Sequence, residues 1–312
     1  MILLTGATGF VGNAVFKRLI EKNYPVRIYS RRAPANIMCD SDYVLGDIDN
    51  TTNYEKTLES VNVIIHCAAK AHLMEMSQQR QADIYYDVNV EGTLNLARQA
   101  LAAGVKRFIF ISSIKVNGEF TVEGASFNHL SPAAPEDDYA RSKQLSEERL
   151  QALTKGSGME LVVIRPPLVY GPGVKGNFSS LLMVAKRNLP LPFGAIHNRR
   201  SMVALDNLVD IIITCIDHPK AANQIFLVSD DNDISTMELL NTITRTAGKS
   251  PRLIPVPISW LRMLGRLTGK QSVIERLCGN LQVDISHTKH TLSWQPPISV
   301  AEGIQRCFIE EE

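Results

Sequence analysis

The feature that most constrains this fold is a set of three glycines near the start, Gly6, Gly9 and Gly12, in the stretch TGATGFVG. They follow an apolar run at 2–4 and precede a helical pattern at 11–22, which predicts a strand, a tight turn and a helix. Backbone N–H groups at such a helix N-terminus can bind a pyrophosphate. The spacing differs from the commoner Gly-x-Gly-x-x-Gly fingerprint, so an ordinary glycine-rich turn is the alternative. The predicted dinucleotide loop comprises Gly6, Thr8, Gly9, Phe10, Val11 and Gly12.

Short apolar runs alternate with helical patterns through the first half of the chain. We predict strands at 2–4, 26–29, 61–66, 108–112 and 161–164, and helices at 11–22, 90–103 and 139–154. This order is typical of parallel strands joined by crossover helices. We therefore expect an α/β fold. A doubly wound parallel Rossmann sheet would occupy 1–165, and a smaller mixed α/β C-terminal substrate lobe would occupy 166–312, with some exchange of chain between them.

Charge and cysteine content exclude several classes of protein. The 312 residues include 33 Lys plus Arg against 32 Asp plus Glu, so no overall positive field attracts nucleic acid and we expect no such partner. Five scattered cysteines without a Cys-x-x-Cys pair favour a reducing, cytoplasmic location. Because Asp206 and Asp210 interrupt the apolar stretch at 203–216, we expect no integral membrane span, and no signal peptide is evident.

The end of the second predicted strand bears on the coenzyme. An NAD-selective fold usually carries an acidic residue there, to accept hydrogen bonds from the ribose. This chain has Arg31 and Arg32 instead, and two guanidinium groups suit a 2'-phosphate, so NADP(H) is favoured and NAD is possible. Alternatively, both arginines are simply a solvated strand end. Farther on, Asp47 could contact the adenine or could be a turn residue.

Tyr139 and Lys143 form the candidate catalytic pair. They are four residues apart on a predicted helix, so their side chains lie on one face. A neighbouring ammonium is expected to lower the pKa of the phenol, which could then act as general acid or base. Ser113, after the strand at 108–112, could donate a hydrogen bond to the reacting oxygen. The alternative is an ordinary pair on a helix surface.

Several motifs, taken in order, resemble the extended short-chain dehydrogenase/reductases, in the branch of nucleotide-sugar epimerases, dehydratases and ketoreductases. They are TGATGFVG, Gly46-Asp47-Ile48, His66-Cys67-Ala68-Ala69, Asn89 with Gly92-Thr93, Ser112-Ser113, Tyr139-x-x-x-Lys143 and Arg165-Pro166. The resemblance implies that Ser113, Tyr139 and Lys143 are catalytic. It places Asp47, Ile48, Ala68, Ala69, Asn89, Tyr139 and Lys143 against the coenzyme. It also implies substrate contacts from Ser113, Asn177, Arg200 and Arg276, and a homodimer formed by a bundle of the helices at 90–103 and 139–154.

Departures from the family pattern narrow the expected reaction. Sugar-nucleotide 4,6-dehydratases carry an Asp-Glu pair where this chain has Ile114 and Lys115, so dehydration is not expected. Asn117 stands where relatives commonly have Tyr, which leaves the pose of the sugar open.

Three functions are therefore considered. The favoured one is NADPH-dependent reduction at C4 of a UDP-4-keto-6-deoxy-N-acetylhexosamine for surface polysaccharide synthesis. The alternative is a UDP-hexose 4-epimerase, of the UDP-glucose or UDP-GlcNAc type, with tightly bound NAD. A catalytically silent redox sensor is a third possibility, against which the intact Tyr139 and Lys143 argue.

Two further patterns are assigned structural roles. His287 and His290 have no accompanying ligand residues, so we expect surface histidines and no metal. The segment 258–277 has apolar residues at helical spacing, with Arg262, Arg266 and Lys270 on its other side. We expect a helix that packs on the lobe, with peripheral membrane contact as the alternative.

Overall fold

A seven-stranded, fully parallel sheet forms the centre of the protein in a computed structural model that describes residues 1–32, 42–71 and 77–308. Its strands, with the two of a smaller parallel sheet, are β1 (Ile2–Thr5), β2 (Val26–Ser30), β3 (Asp42–Leu45), β4 (Val63–His66), β5 (Arg107–Ile111), β6 (Glu160–Arg165), β7 (Leu168–Tyr170), β8 (Met202–Ala204) and β9 (Gln224–Leu227). The large sheet has the order β3-β2-β1-β4-β5-β6-β9, and β7 pairs with β8. The order reverses between β1 and β4, which is where such folds bind dinucleotides.

Twelve α-helices are present in the described ranges. They are α1 (Phe10–Glu21), α2 (Glu55–Leu58), α3 (Gln78–Tyr85), α4 (Thr93–Ala102), α5 (Asp138–Thr154), α6 (Asn177–Arg187), α7 (Leu205–Asp217), α8 (Thr236–Thr246), α9 (Ile258–Leu267), α10 (Gln271–Cys278), α11 (Ser286–Leu292) and α12 (Val300–Arg306). A π-helical stretch, Tyr86–Gly92, leads directly into α4, so the helix predicted at 90–103 starts with a wider turn.

The sheet lies between two helical layers, as its sequence requires. β1, β4, β5 and β6 are runs of Val, Ile, Leu and Phe buried almost throughout, a pattern typical of parallel strands covered on both faces. One face packs against α1 and α7, and the other against α4 and α5. The predicted doubly wound parallel sheet is therefore confirmed.

Arg107 ties α7 to the sheet. Its Nη1 donates hydrogen bonds to the carbonyl oxygens of Cys215 at 2.7 Å, Ile216 at 2.8 Å and His218 at 3.1 Å, and its Nε donates to Glu160 Oε2 at 2.8 Å. The last carbonyls of a helix lack partners within the helix, so a guanidinium at this end satisfies them.

The second half contributes to both parts of the fold. β9 comes from the segment 166–312 but adds the seventh strand to the large sheet, beside β6. α6, α8, α12 and the β7–β8 pair surround a separate core that includes Tyr170, Phe178 and Ile243. The continuous helix expected over 258–277 is a hairpin of α9 and α10, because the chain turns at Gly269 with φ of 67°.

Candidate active site

The glycine loop is shaped to let a ligand approach the backbone. Gly6 has φ of 76°, and a Cβ atom there would lie 2.6 Å from the backbone nitrogen of Ala68. A Cβ atom on Gly12 would lie 2.1 Å from the Gly6 carbonyl oxygen. Both positions therefore require glycine. Gly9 caps α1 without a side-chain hydrogen bond, and the first turn has no acidic residue, so its N–H groups can receive a pyrophosphate.

The remaining residues of the loop lie at the start of α1 or just before it. Thr8 is exposed, and Phe10 and Val11 are partly buried against the core on the first turn of α1. The loop thus supplies a cradle that fits a dinucleotide diphosphate, and Phe10 and Val11 fix the helix that forms it.

Arg31 and Arg32 end β2 as exposed side chains, with no carboxylate on that strand end. Arg31 Nε lies 3.8 Å from Asp47 Oδ1, and both groups are largely in solvent. The Asp47 carbonyl accepts a hydrogen bond from the Tyr29 hydroxyl at 3.1 Å, and the next residue, Ile48, packs where Gly92 leaves room. β2 pairs with β1 in parallel, so Arg31 and Arg32 follow β2 at the same edge of the sheet at which the glycine loop follows β1, and Arg31 lies near Asp47.

A buried polar network lies under the opposite edge. His66, the last residue of β4, contacts Thr5 Oγ1 through Nδ1 at 2.9 Å and Thr93 Oγ1 through Nε2 at 3.0 Å. Thr5 Oγ1 in turn accepts a hydrogen bond from the Ala68 backbone at 3.3 Å. Burial lowers the pKa of His66 to about 3, so the imidazole is neutral. The network fixes the segment that carries Ala68 and Ala69 beside Gly6.

Asn89 joins this segment to helix α5. It lies in the π-helical stretch, and its side chain exchanges two hydrogen bonds with the Lys70 backbone, at 2.8 and 3.0 Å. Its Nδ2 also donates to Ser142 Oγ at 2.9 Å. With its amide used in this way, the buried Asn89 side chain is a structural link between the Lys70 segment and α5, the helix that carries Tyr139 and Lys143. Single π turns of this kind occur frequently at functional sites.

Lys143 is buried under β5. Its Nζ donates to the Ile111 carbonyl oxygen at 2.7 Å and lies 4.4 Å from the centre of the Phe110 ring. Burial lowers its pKa to about 8, against the smaller opposing effects of Cys67 and Glu147. Lys143 can therefore change its protonation state at mildly alkaline pH, well below the range of an ordinary lysine.

Tyr139 lies one helical turn before Lys143, and its ring meets that of Tyr85 edge to face at 5.9 Å. Burial raises the pKa of the phenol above its usual range, and Asp137 and Tyr85 raise it further. The expected lowering of this pKa by Lys143 is therefore wrong for the protein without ligands. The cause is that burial outweighs the charge of an ammonium directed to the Ile111 carbonyl.

Ser113 is placed just after β5, where a short 3₁₀ turn begins. Its Oγ accepts a hydrogen bond from the Lys115 backbone at 3.2 Å. Lys115 Nζ lies 2.6 Å from Glu119 Oε1 and 2.6 Å from Asp137 Oδ2, and Asp137 caps the start of α5 through Ala140 N. Lys115, which stands where dehydratases have an acid, thus ties the Ser113 segment to the start of α5.

A buried cluster that sequence reasoning missed supports the same segment. Glu147, one turn after Lys143, accepts hydrogen bonds from Ser112 Oγ and from the Arg165 guanidinium, with Arg165 Nε to Glu147 Oε1 at 3.0 Å. Arg165 Nη1 also donates to Asn117 Oδ1 at 3.1 Å. The Asn117 side chain is therefore buried and hydrogen-bonded within the protein. The available signal was that Glu147 continues the four-residue spacing of Tyr139 and Lys143.

The predicted substrate residues are only partly described. Arg200 Nη1 donates to the Gly279 carbonyl oxygen at 3.1 Å. Burial lowers the pKa of Arg200, Glu119 opposes this, and the positive charge of Arg276 adds to the lowering. Gly279, which Arg200 contacts, follows Arg276 by three residues, so the two arginines lie in the same region of the lobe. Two arginines in one region suit a diphosphate. The side chain of Asn177, the first residue of α6, lies outside the described part of the structure.

The histidines and cysteines show no nucleophile or metal cluster in the described ranges. Burial raises the pKa of Cys67 to about 12, so its thiol is inert at neutral pH. His287 stacks on His129 with ring centres 3.7 Å apart. Among residues 1–32, 42–71 and 77–308, no three His, Cys, Asp or Glu side chains are arranged to hold a metal ion. In those same ranges, no helix is long and apolar enough to span a bilayer.

Known proteins resemble this chain along almost its whole length. It is 50% identical over 307 residues to a UDP-glucose 4-epimerase of Vibrio cholerae, which covers 98% of this chain and 93% of that protein. It is 26% identical over 321 residues to an N-acetyl-alpha-D-glucosaminyl-diphospho-ditrans,octacis-undecaprenol 4-epimerase of Escherichia coli O157:H7, with 98% and 94% covered.

Solved structures share the fold at low identity. The UDP-glucose 4-epimerase of Thermotoga maritima with UDP-glucose superposes with a TM-score of 0.77 at 22% identity, covering 98% of this chain and 96% of that one. Bordetella bronchiseptica WbmG in complex with NAD gives 0.77 at 18% identity, with 98% and 92% covered. The model of the NAD dependent epimerase/dehydratase family matches residues 2–229. The resemblance to the extended short-chain dehydrogenase/reductases is thereby confirmed, and this chain is an enzyme of the NAD-dependent epimerase/dehydratase family.

Proposed function

We propose that this enzyme interconverts the C4 epimers of a UDP-linked hexose with NAD as coenzyme. The observation that carries the proposal is the 50% identity to the Vibrio cholerae UDP-glucose 4-epimerase over nearly the whole of both chains. The site is compatible with it, because one hydroxyl, one phenol and one lysine follow the coenzyme cradle, and these are groups that can exchange a proton with a sugar oxygen and stabilise its charge. The 4-ketoreductase, which the sequence alone favours, has less support.

The coenzyme, when bound at the glycine loop, would accept a hydride from C4 and return it. Tyr139 holds the proton that moves to or from the C4 oxygen, and Ser113 donates a hydrogen bond to the same oxygen. Lys143 places a positive charge beneath this site through its bond to the Ile111 carbonyl. Because the phenol is protonated at neutral pH, its use as a base requires nearby positive charge, from Lys143 and from oxidised nicotinamide.

Epimerisation also requires that the hexose rotate in the site, so that its opposite face points to the coenzyme, while the nucleotide stays bound. Arg200 and Arg276, as cations in the same region of the lobe, would hold the diphosphate during that rotation. The hexose could then present either face of C4 to the same Tyr139. This arrangement needs one set of catalytic residues and no second acid or base.

One observation favours the ketoreductase as the second candidate. The end of β2 carries Arg31 and Arg32 and no acid, which suits the 2'-phosphate of NADPH. The favoured substrate would then be a UDP-4-keto-6-deoxy-N-acetylhexosamine, reduced for surface polysaccharide synthesis.

Product analysis separates these functions. The purified enzyme is incubated with UDP-glucose or UDP-GlcNAc without added coenzyme, and the C4 epimers are then separated. In parallel, it is incubated with the 4-keto sugar and NADPH or NADH. Redox-neutral epimer formation with NAD retained in the protein supports the proposal. Stoichiometric oxidation of NADPH with only the keto sugar turned over would replace it by the ketoreductase.

Tyr139→Phe is the control for catalysis in either assay. It should lower kcat by about a hundredfold or more while the coenzyme stays bound. Tyr85→Phe is the matched control, because its ring packs against Tyr139 and, among the described residues, its hydroxyl donates to the Ala71 carbonyl oxygen at 3.4 Å. Unchanged turnover in Tyr139→Phe would indicate a silent binding protein instead.

We further propose that the enzyme is a homodimer through α4 and α5. These helices pack against each other on one face of the sheet, and residues such as Arg98, Arg141 and Glu148 remain exposed on them. Light scattering of the purified protein should give twice the mass of one chain.

A further inference from the structure

Helix α9 has two apolar faces, and within the described part of the chain one of them packs inside the protein while the other is exposed. Ile258, Leu261 and Gly265 face inward, and Gly265 packs so closely that a Cβ atom there would lie 2.9 Å from Ile274 of α10. The second face is exposed. Its four side chains, which are between 55% and 78% exposed, are Trp260, Met263, Leu264 and Leu267.

The exposed residues form a continuous stripe. They occupy positions i, i+3, i+4 and i+7, which fall within about 100° of one another on a helix. Ile254, just before α9, and Val273, on α10, are also about half exposed. Single exposed apolar residues are common, but a group that includes Trp and two Leu on one helix marks an interaction surface.

The charge around the stripe has one sign. Residues 239–274 contain six Lys or Arg and no Asp or Glu, although the whole chain has a net charge of only +1. On α9, Arg266 lies beside the stripe, Arg262 lies on the opposite side of the helix, and Lys270 follows α9. Arg262 lies 3.5 Å from Glu275 of α10, the first acidic residue after this stretch, whereas Arg266 and Lys270 are exposed.

We propose that the outer face of α9 docks in the plane of an anionic lipid surface. Trp and Leu side chains would enter the boundary between headgroups and acyl chains, and the neighbouring cations would meet lipid phosphates. A second copy of this chain is the less suitable occupant. Two-fold pairing of this face would bring Arg266 and Lys270 toward their own copies, with no carboxylate on residues 239–274 to compensate them.

Sedimentation of the full-length enzyme with vesicles tests the proposal. We expect binding to vesicles of phosphatidylcholine with phosphatidylglycerol, weaker binding to phosphatidylcholine alone, and loss of the difference at high salt. Trp260→Ser with Leu267→Ser should weaken binding about tenfold or more. Leu130→Ser is the matched control, since Leu130 is 79% and Leu267 78% exposed. Epimerase or reductase turnover on water-soluble substrate should stay unchanged in both variants.

The emission of Trp260 supplies a second readout. Trp294, the other tryptophan, is 5% exposed and its Nε1 donates to Asp210 at 2.8 Å, so only Trp260 should shift to shorter wavelength on anionic vesicles. Trp260→Phe should bind the vesicles without that shift. No sedimentation at low salt, or sedimentation that the Trp260 and Leu267 changes leave intact, overturns the proposal. Self-association in solution that these changes abolish, without vesicle binding, would assign the face to a second copy.

Discussion

Glu147 and Arg165 form a buried ion pair one helical turn beyond Lys143. Arg165 donates through Nε to Glu147 Oε1 at 3.0 Å and through Nη2 to Oε2 at 2.5 Å, and both side chains are at most 8% exposed. The pair fixes β6 and the Ser112–Asn117 segment against the helix that carries Tyr139. It also places a carboxylate whose charge raises the pKa of Lys143.

Glu147→Gln tests this relationship. Removing one partner of a buried pair should lower the free energy of unfolding by about 3 kcal/mol, measured by urea denaturation. Because the lost charge supports the ammonium, the pKa of Lys143 should fall below about 8, and the alkaline limb of the pH–rate profile should move to lower pH. Glu160→Gln is the control. Glu160 pairs with Arg107 but is 42% exposed. The Glu160→Gln change should therefore lower the free energy of unfolding by less and leave the alkaline limb of the pH–rate profile in place. An unmoved limb in Glu147→Gln would show that the pair has only a structural role.

Gly6 and Gly104 provide a matched test of the coenzyme cradle. Their φ values are 76° and 78°, so alanine meets the same backbone strain at both sites. At Gly104 a Cβ atom meets nothing within 4 Å, whereas at Gly6 it would lie 2.6 Å from the Ala68 nitrogen. Gly6→Ala should therefore cost about 2 kcal/mol more stability and should abolish coenzyme binding measured by calorimetry. Equal losses in the two variants would contradict close approach at Gly6.

Local sequence signals account for much of the fold. β1, β2, β4, β5 and β6 could be predicted because each contains an apolar run of the expected length and α1 follows the glycine loop directly. The sequence analysis missed β3, whose residues Asp42–Leu45 are mostly exposed. It also missed β9, Gln224–Leu227, whose pairing with β6 joins residues about 60 positions apart and leaves no local signal. The break between α9 and α10 depends on a left-handed glycine, Gly269, whose conformation is set by packing of the hairpin.

Arg31 and Arg32 determine the preference for NADPH over NADH if they bind the 2'-phosphate. Replacing both by Ala should weaken NADPH binding about tenfold or more and leave NADH binding nearly unchanged, because only NADPH carries the extra charge. Binding is measured by fluorescence titration at fixed ionic strength. Lys22→Ala, at an exposed residue after α1, controls for the general loss of positive charge. Equal effects on the binding of both coenzymes would show that the arginines are only a solvated strand end. This result would agree with epimerisation that uses NAD, which has no 2'-phosphate.

The site was predictable where neighbours in sequence are neighbours in space. Tyr139 and Lys143 are one helical turn apart, so spacing alone placed them on one face. The burial of Glu147 leaves little trace in the local sequence, because its partner Arg165 is 18 residues away on β6. The raised pKa of Tyr139 likewise depends on burial beside Tyr85, which belongs to α3 and is distant from Tyr139 in the sequence.

His66 makes the acid stability of the fold predictable. Its pKa is about 3 in the folded protein, below the ordinary value of 6.5 in the unfolded chain, so the unfolded state binds the proton first as pH falls. The contribution of the neutral imidazole to the free energy of unfolding is fully present above about pH 6.5. Acidification to about pH 4 should lower that free energy by about 3 kcal/mol. Urea denaturation across this range measures the slope. His66→Asn should be less stable at neutral pH, because the contacts to Thr5 and Thr93 weaken, but its stability should depend less on pH. His290→Asn, at an exposed position, should keep the wild-type slope, and an equal slope in His66→Asn would mean that other groups cause the acid sensitivity.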